Sequence, residues 1–595
     1  MSDNGADPDA SRELSKVELA KLESDALRGS IAPTLADDAI SCFDETDKTL
    51  LKFHGIYQQD NRDTRHGGSG KTYSMMVRVR IPGGAITSAQ WLELDRLADV
   101  CADGTLRLTT RQGIQYHGVA KGDLKTLIAT INHSLLSTLS ACGDVQRNVM
   151  ASPAPFADEA HQTSQRVAAE LALALAPATG AYHEIWLDGE RVDESGEEES
   201  FYGKQYLPRK FKTGVGLDID NSIDIYTYDC GLVGITDGDR RIRAWNLLVG
   251  GGLGMTHNKG DTIARAASTI GSIPTGREID AVRIVAAIFR DHGNRADRRH
   301  SRLKYLIESW GVDKFVDEFR QRIDWTLAPA IDVPQPQQLD HLGVFAQGDG
   351  KYFVGVFVEN GRVRDGDHAR YRSAFRAIAE RLAPSIRLTP MQSILFADLD
   401  ESGVTALHAI LKEFGIARVD ELSQLRRWSM ACPALPTCGL ALAESERVMP
   451  TIIDELEREF DDLAVGDLPL TVRMTGCPNG CARPYNADLA FVGRKPGVYH
   501  IYVGGGLRGD RLADLYAADV PSTDFATTLR PLLLRYRNER RADEVLGDFY
   551  QRAIGSTTTR QVLTGKETPT RNLIQLSVAG QPPLASPPSP SGGGQ

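Results

Sequence analysis

Two rhythms of apolar and polar positions run along the chain. From Met75, MMVRVRI alternates with a period of two, which predicts a strand with one buried face. Trp91, Leu94, Leu97, Ala98 and Cys101 then recur three or four apart and share one face of a predicted helix. TLRLTT (105–110) and GIQYHGV (113–119) predict paired strands, and the alternation around His117 predicts a structural histidine. Helices are predicted over 157–176, 278–292 and 298–325. Extended segments are predicted at HEIWLDG (183–189), IDIYTYD (223–229) and RAWNLLVGG (243–251). The fold class is α+β with mixed sheets.

Three strings repeat in the same order, more than 250 residues apart. RLTTRQGI (107–114) is echoed by RLTPMQSI (387–394), MASPA (150–154) by MACPA (430–434), and LVGGGL (248–253) by YVGGGL (502–507). Order and spacing together indicate an internal duplication, with two related halves facing each other across a pseudo-twofold axis. A cofactor between the halves is the natural expectation, because pockets favour domain interfaces.

Composition adds boundaries. The 595 residues are 41% hydrophobic and 25% charged, an ordinary globular balance. The net charge of −11 argues against steering toward nucleic acid or an anionic membrane. The N-terminus is polar and acidic, unlike a signal peptide, and no stretch reaches about 18 consecutive apolar residues. Cytoplasm is therefore the expected location, where thiols serve as metal ligands or nucleophiles more than as disulfides. The segment GQPPLASPPSPSGGGQ predicts a disordered tail.

The cysteines are uneven. Cys42, Cys101, Cys142 and Cys230 are scattered, whereas Cys432, Cys438, Cys477 and Cys481 cluster in CPALPTC and TGCPNGC. Steps of six and four differ from the two-residue spacing usual in zinc ribbons. Four thiolates on two loops suit an iron–sulfur cluster; a zinc site or buried structural cysteines are the alternatives. Lys210 and Lys212 in RKFK lie two apart on an extended segment and so share a face, where like charges repel unless an anion lies between them. Neither GGG segment has the GxGxxG order or GK[ST] ending of a nucleotide loop, so close backbone approach to a bulky macrocycle is the expectation there.

CPALPTC followed by TGCPNGC resembles the signature of sulfite and nitrite reductases that couple siroheme to a 4Fe-4S cluster. FHGIYQQDNRDTR (53–65), RLTTRQGIQYHG (107–118), EIWLDGE (184–190), YLPRKFKTGV (206–215) and NLLVGGGL (246–253) resemble the haemoprotein (beta) subunits of the NADPH-dependent assimilatory sulfite reductases, over about residues 15 to 570. The resemblance implies a three-domain fold with the internal duplication: an arm at 1–70, paired ferredoxin-like half-domains at 71–146 and 345–421, a first siroheme-binding domain at 147–344, and a second at 422–570 carrying the cluster, before a tail at 571–595. It implies that Cys432, Cys438, Cys477 and Cys481 ligate the cluster and that Cys481 bridges to the siroheme iron. It implies too that Arg78, Arg147, Lys210 and Lys212 surround sulfite on the opposite face, where it binds through sulfur. Siroheme carries eight carboxylates, and Arg111, Asn294, Arg295 and Lys304 are further candidates to hold it, with Arg298 and Arg299 in the same basic run. The stretch HGGSGK (66–71) is shorter than in related chains, which places the difference in a loop over the substrate entrance.

The implied reaction is the six-electron reduction of sulfite to sulfide in sulfate assimilation and cysteine biosynthesis. A nitrite reductase with the same cofactors is the first alternative; the lysine at 212, commonly a neutral residue in resembling nitrite enzymes, favours sulfite. A non-catalytic iron–sulfur or zinc scaffold is the second. Neither a flavin nor a nicotinamide site is visible, so electrons come from a partner: an NADPH-dependent flavoprotein (alpha) subunit by the resemblance, with ferredoxin as the other donor. The acidic residues 1–20 are either a partner-docking arm or a frayed terminus.

Overall fold

The computed structural model describes residues 14–65, 70–178, 186–187, 190–191, 199–333, 338–555 and 560–569. The tail, most of HEIWLDG and of the shortened loop at 66–71, and the first 13 residues lie outside them.

The pattern at 75–119 is realised directly. Tyr73–Val79 is a strand, and Ser88–Cys101 a helix opened by a Thr87/Gln90 capping box, with Trp91, Leu94, Leu97, Ala98 and Cys101 all buried. Leu106–Leu108 and Ile114–Val119 pair antiparallel. The five-stranded sheet runs Ile56–Asp60, Tyr73–Val79, Ile114–Val119, Leu106–Leu108, Arg362–Val363; its counterpart runs Gly343–Ala346, Tyr352–Val356, Ile394–Leu399, Ser385–Leu388, Ala85–Thr87. Each sheet thus takes its last strand from the other half, and the two share one continuous core. This exchange ties the halves together by backbone hydrogen bonds that period alone cannot predict.

Two further five-stranded sheets repeat one topology. The first runs Met150–Ala151, Thr213–Leu217, Cys230–Thr236, Ile242–Val249, Ser268–Ile273; the second runs Ser429–Ala431, Val472–Thr475, Leu489–Lys495, Val498–Val503, Asp514–Pro521. In both, the first three strands are parallel and the rest antiparallel. The repeated RLT strings join the sheet pairs. Gln112 (φ 50) and Gln392 (φ 62) turn in the left-handed region, and each side chain donates at 2.9 Å to a carbonyl of the facing first strand, Ala151 and Ala431 respectively. The fold is the α+β architecture with internal duplication that the repeats predict.

Three local expectations change. IDIYTYD is a turn: Asp224 adopts φ 65 and opens a short 3-10 turn at Ile225–Thr227, with the Asn221 side chain accepting from the Ile225 amide at 2.9 Å. Asp tolerates this conformation where a β-branched residue does not. The stretch 298–325 holds two helices, Leu303–Trp310 and Val312–Gln321, because Gly311 at φ 78 breaks the run. In each GGG segment the middle glycine is demanded by protein packing: a Cβ at Gly251 would lie 2.4 Å from the Tyr226 and Tyr228 carbonyl oxygens, and one at Gly505 2.4 Å from those of Asn486 and Ala487. The glycines let the strand end cross the preceding 3-10 turn.

The arm is not frayed where it is described. The helix Lys16–Leu22 buries Glu18 and Lys21 against the first β domain. No helix among the described residues is long and apolar enough to cross a membrane.

Candidate active site

The four clustered thiols come from two loops that the second β domain presses together. Gly476 is the contact point: a Cβ there would lie 2.5 Å from Ala434 Cβ and from the Ala443 oxygen. The Leu442 and Ala443 amides donate to the Gly476 oxygen at 2.8 and 3.0 Å, and Cys432 N donates to Met474 O at 3.2 Å. Cys432 and Cys477 are buried, Cys438 is partly buried and Cys481 is exposed. Their polar contacts are weak N–H donations, from Gly476 N to Cys432 Sγ at 3.4 Å and from Asn479 Nδ2 to Cys477 Sγ at 3.5 Å.

Burial, with Cys481 and the other thiols close by, pushes the Cys477 thiol up to about 12 and raises Cys432 and Cys438 as well. Such a set ionises only when a strongly positive group compensates it. Tetrahedral zinc would draw four sulfurs to within about 3.8 Å of one another, given a Zn–S bond of about 2.3 Å. No group of three His, Cys, Asp or Glu among the described residues converges on an ion-sized point. Four thiols carried on two loops and near enough to affect one another's ionisation suit an iron–sulfur cluster.

Opposite the thiols is an unbalanced set of cations. Arg78 stands on the strand Tyr73–Val79, and the Ala141 carbonyl accepts from it at 3.4 Å and from Arg147 Nε and Nη2 at 3.0 and 2.6 Å, aligning the two guanidiniums. Arg78 also donates to Cys142 Sγ at 2.9 Å, and Gln115, with its amide oxygen turned toward it, accepts at 2.5 and 2.8 Å. Phe211 is buried and bridges Gln146 in β fashion, so Lys210 and Lys212 on either side of it point the other way, to one face. Arg111 lies over the Tyr228 ring, its carbon 5.3 Å from the centroid, and donates to the Asn148 carbonyl.

None of Arg78, Arg111, Arg147, Lys210 and Lys212 forms an ion pair with an acid among the described residues. Two neighbours do: Arg302 grips Asp229 through contacts of 2.7 to 3.0 Å, and Arg209 lies 3.7 Å from Asp144. The two lysines keep some contact with solvent although protein surrounds them, which places them on the wall of a cleft. Burial, reinforced by Arg209, Arg302 and Arg147, holds Lys210 down to about 7; burial with Lys210 and Arg111 nearby also lowers Lys212 well below its ordinary value. The Cys481 thiolate would favour the charged forms of Arg78 and Lys210, which brings the exposed thiol and the cations into one site. Buried cations without carboxylates are the mark of an anion site. A polycarboxylate macrocycle with an oxyanion substrate suits this cradle.

The remaining candidates are committed to the scaffold. Asn294 Oδ1 accepts from the Ala296 and Asp297 amides at 2.9 Å, capping a turn. Arg295 binds Glu18 at 2.6 Å and the Tyr206 carbonyl at 2.8 Å. Lys304 Nζ donates to the carbonyls of Gly252, Gly254 and Ile263, which leaves it no free proton for a ligand. Arg298 pairs with Asp144 and Arg299 with Asp297. His117 is buried, its pKa lowered by burial with Arg362 and Arg107 nearby.

One residue went unnoticed in the sequence. Arg483, two beyond Cys481, donates to Asp224 Oδ2 at 2.7 Å and to the Thr110 and Pro390 carbonyls at 3.2 Å, while Thr110 Oγ1 donates to Cys481 O at 3.0 Å. In the fold Asp224 and Arg483 occupy equivalent places in the repeat, each left-handed and opening a 3-10 turn, an equivalence that the three repeated strings do not reach.

A thiol cage facing a cation-lined cleft, inside a duplicated α+β fold, defines a class of redox proteins that hold an anionic macrocycle beside an iron–sulfur cluster. Comparison with known proteins gives the family. Residues 68–134 and 345–414 match the model of the nitrite/sulfite reductase ferredoxin-like half domain, and residues 168–327 that of the nitrite and sulphite reductase 4Fe-4S domain. The second match falls on the copy that lacks the cysteine cluster. The chain is 42% identical to a sulfite reductase [NADPH] hemoprotein beta-component of Staphylococcus haemolyticus, over 91% of this chain and 95% of that protein. It is 43% identical to a sulfite reductase [ferredoxin] of Synechococcus elongatus, over 93% and 91%. It superposes on the Mycobacterium tuberculosis NirA protein with a TM-score of 0.72 at 26% identity, covering 91% of this chain and 96% of that one. The chain belongs to the nitrite and sulfite reductase family.

Proposed function

We infer that this chain is the haem-bearing catalytic component of an assimilatory sulfite reductase, reducing sulfite to sulfide. The observation that carries the reading is the set of five cations without acidic partners, two of them lysines, gathered on the side of the cleft that Cys481 faces. Siroheme held there supplies the iron site for sulfite and the path for electrons from a 4Fe-4S cluster. Cys432, Cys438, Cys477 and Cys481 would hold the cluster, with Cys481, the exposed one of the four, on the side open to the haem. Arg78 and Arg147 present planar donors to the sulfite oxygens, and Arg111 neutralises a carboxylate of the macrocycle. Lys210 and Lys212 hold charge against the growing negative charge on a departing oxygen, and a lysine held near 7 gives up its proton readily at neutral pH.

The electron donor is a partner protein. An NADPH-dependent flavoprotein subunit is the reading supported by the names of several of the relatives, and ferredoxin by the cyanobacterial one at 43% identity. The reaction belongs to the cytoplasm, where eight cysteines without a disulfide among the described ones are at home. The test is sulfide formation by the holoenzyme with an artificial one-electron donor, then with NADPH and a flavoprotein, then with reduced ferredoxin. A colourless purified chain, or nitrite turnover far above sulfite turnover, overturns the reading.

A further inference from the structure

The substrate-facing lysines sit on a segment that the cleft itself pushes away. Lys210 and Lys212 repel each other and are repelled by Arg147, Arg111 and Arg302, with Arg209 adding to the strain on Lys210. A shift of one residue along the extended stretch would turn both side chains out of the cleft. The sheet pins the far end of the segment, where Cys230 N donates to Lys212 O and Lys212 N to Asp229 Oδ2, each at 3.1 Å; the start of the segment needs its own hold before any anion arrives.

That support is a buried charge network reaching to the N-terminal helix. Lys21, with no exposed side-chain surface, donates to Glu18 at 2.5 Å and to the Leu207 carbonyl at 2.9 Å, and lies 3.7 Å from Asp144. Asp144 is 2% exposed, pairs with Arg298 at 2.7 Å and draws Arg209 to 3.7 Å. From Asp144 the two chain segments are laced together: Leu207 N donates to Asp144 O at 3.0 Å, Phe211 N to Val145 O at 3.0 Å, and Arg147 N to Phe211 O at 2.8 Å. Arg147 rides on one segment, Lys210 and Lys212 on the other. Glu18 extends the network to Arg295, whose guanidinium also holds the Tyr206 carbonyl at 2.8 Å. Burial alone pushes the Asp144 carboxyl up, but Arg298, Lys21 and Arg209 together hold it well below the ordinary range.

We propose that Lys21 and Asp144 are positioning residues for sulfite: Lys21 bolts the start of the 207–212 segment through the Leu207 carbonyl, and Asp144 pulls Arg209 to the rear so that Lys210 and Lys212 stay aimed into the cleft. The inference rests on the sulfite reductase reading. It gives the helix Lys16–Leu22 a part in substrate affinity although neither residue touches substrate. Displacing a binding group by about 1 Å can cost up to a hundredfold in efficiency, so the loss of one anchor should be visible in sulfite affinity.

The test uses full-length holoenzyme with reduced methyl viologen as donor, all rates normalised to haem, together with spectral titration of sulfite onto the haem. Lys21→Met raises the sulfite KM and the titrated Kd about tenfold, with kcat per haem within about threefold of wild type. Lys21→Arg, which restores a cation and a donor for Leu207, recovers most of the affinity. If Lys21→Met yields no holoenzyme, Asp144→Asn decides, since it keeps the backbone bonds and removes only the charge; the same split between KM and kcat is expected. Unchanged sulfite affinity per haem in the variant that folds, or a deficit that tracks only haem content and melting temperature, overturns the proposal. Wild-type holoenzyme that forms no sulfide would instead overturn the parent reading, so the two failures are told apart.

Discussion

The two β domains share one topology and differ in what fills the space behind their equivalent loops. Counting from the left-handed pair Asp224 and Arg483, the positions of Cys477 and Cys481 are taken in the first copy by Asp218 and Ser222, and the repeated string sets Ser152 where Cys432 stands. In the first copy two of these three groups have partners within the protein, while the Ser222 hydroxyl is buried without one. Ser152 donates to Asp220, which also takes His341 at 3.0 Å and lies 3.5 Å from His161, and Asp218 accepts from the Thr236 amide and hydroxyl at 2.9 Å. In the second copy the thiols have only weak N–H contacts. One scaffold therefore makes the same pair of loops twice, and the copy whose side chains leave their donor capacity unspent is the one that can hold an inorganic group. The asymmetry reverses across the cleft, where the first copy supplies Arg147, Lys210 and Lys212.

The strongest way to break this comparison is to exchange the loop residues. Cys481→Ser should lower sulfite reduction by about a thousandfold or more, since it removes one of the four thiols proposed to hold the cluster. Ser222→Cys in the first copy should add no iron or acid-labile sulfide, and extra iron there would show that the sealed copy is still a competent cage. Next in size, Lys212→Ala should lower kcat/KM for sulfite about a hundredfold while leaving the melting temperature within a few degrees, because the lysine has no native ion pair to lose. A large fall in stability with little loss of turnover would move Lys212 out of the site.

Asp224→Asn tests the seam between the copies. Asp224 accepts from Arg473 at 2.9 Å, Arg483 at 2.7 Å and Asn486 at 2.8 Å, all buried. Leaving the two guanidiniums unpaired should cost about 3–5 kcal/mol of stability in thermal unfolding, with turnover per haem changed only a few-fold. The smallest effect is a fractional proton uptake. Lys210 is held down to about 7, and a bound anion raises it again, so sulfite binding should take up protons above neutral pH and weaken as pH rises, beyond the change due to sulfite's own ionisation. Calorimetry in buffers of different ionisation enthalpy measures this, and Lys210→Arg, always charged, should reduce it, leaving the share of Lys212.

Much of the molecule was legible in one dimension because its information is local. Trp91 to Cys101 gave a helix face, the RLT strings marked two equivalent turns, and the cysteine loops together with the RKFK pair named the chemistry. The basic run 294–299 misled for the same reason: a charge run shows cations but not the acids that take them, and Glu18, Asp144 and Asp297 take these. In the glycine triples the middle residue answers to the backbone of its own copy, a contact that no string of glycines reveals.

By itself, then, the sequence determined the elements, the duplication and the donor types, since each depends on residues within a few positions of one another. Tertiary structure decided which donors stay unpaired. That Lys304 is saturated by three carbonyls while the Lys210 and Lys212 ammonium groups form no ion pair among the described residues, Arg302 having taken Asp229, and that Lys21 reaches Leu207 across 186 residues, are outcomes of folding, because the pairing of a buried charge is set by its neighbours in space.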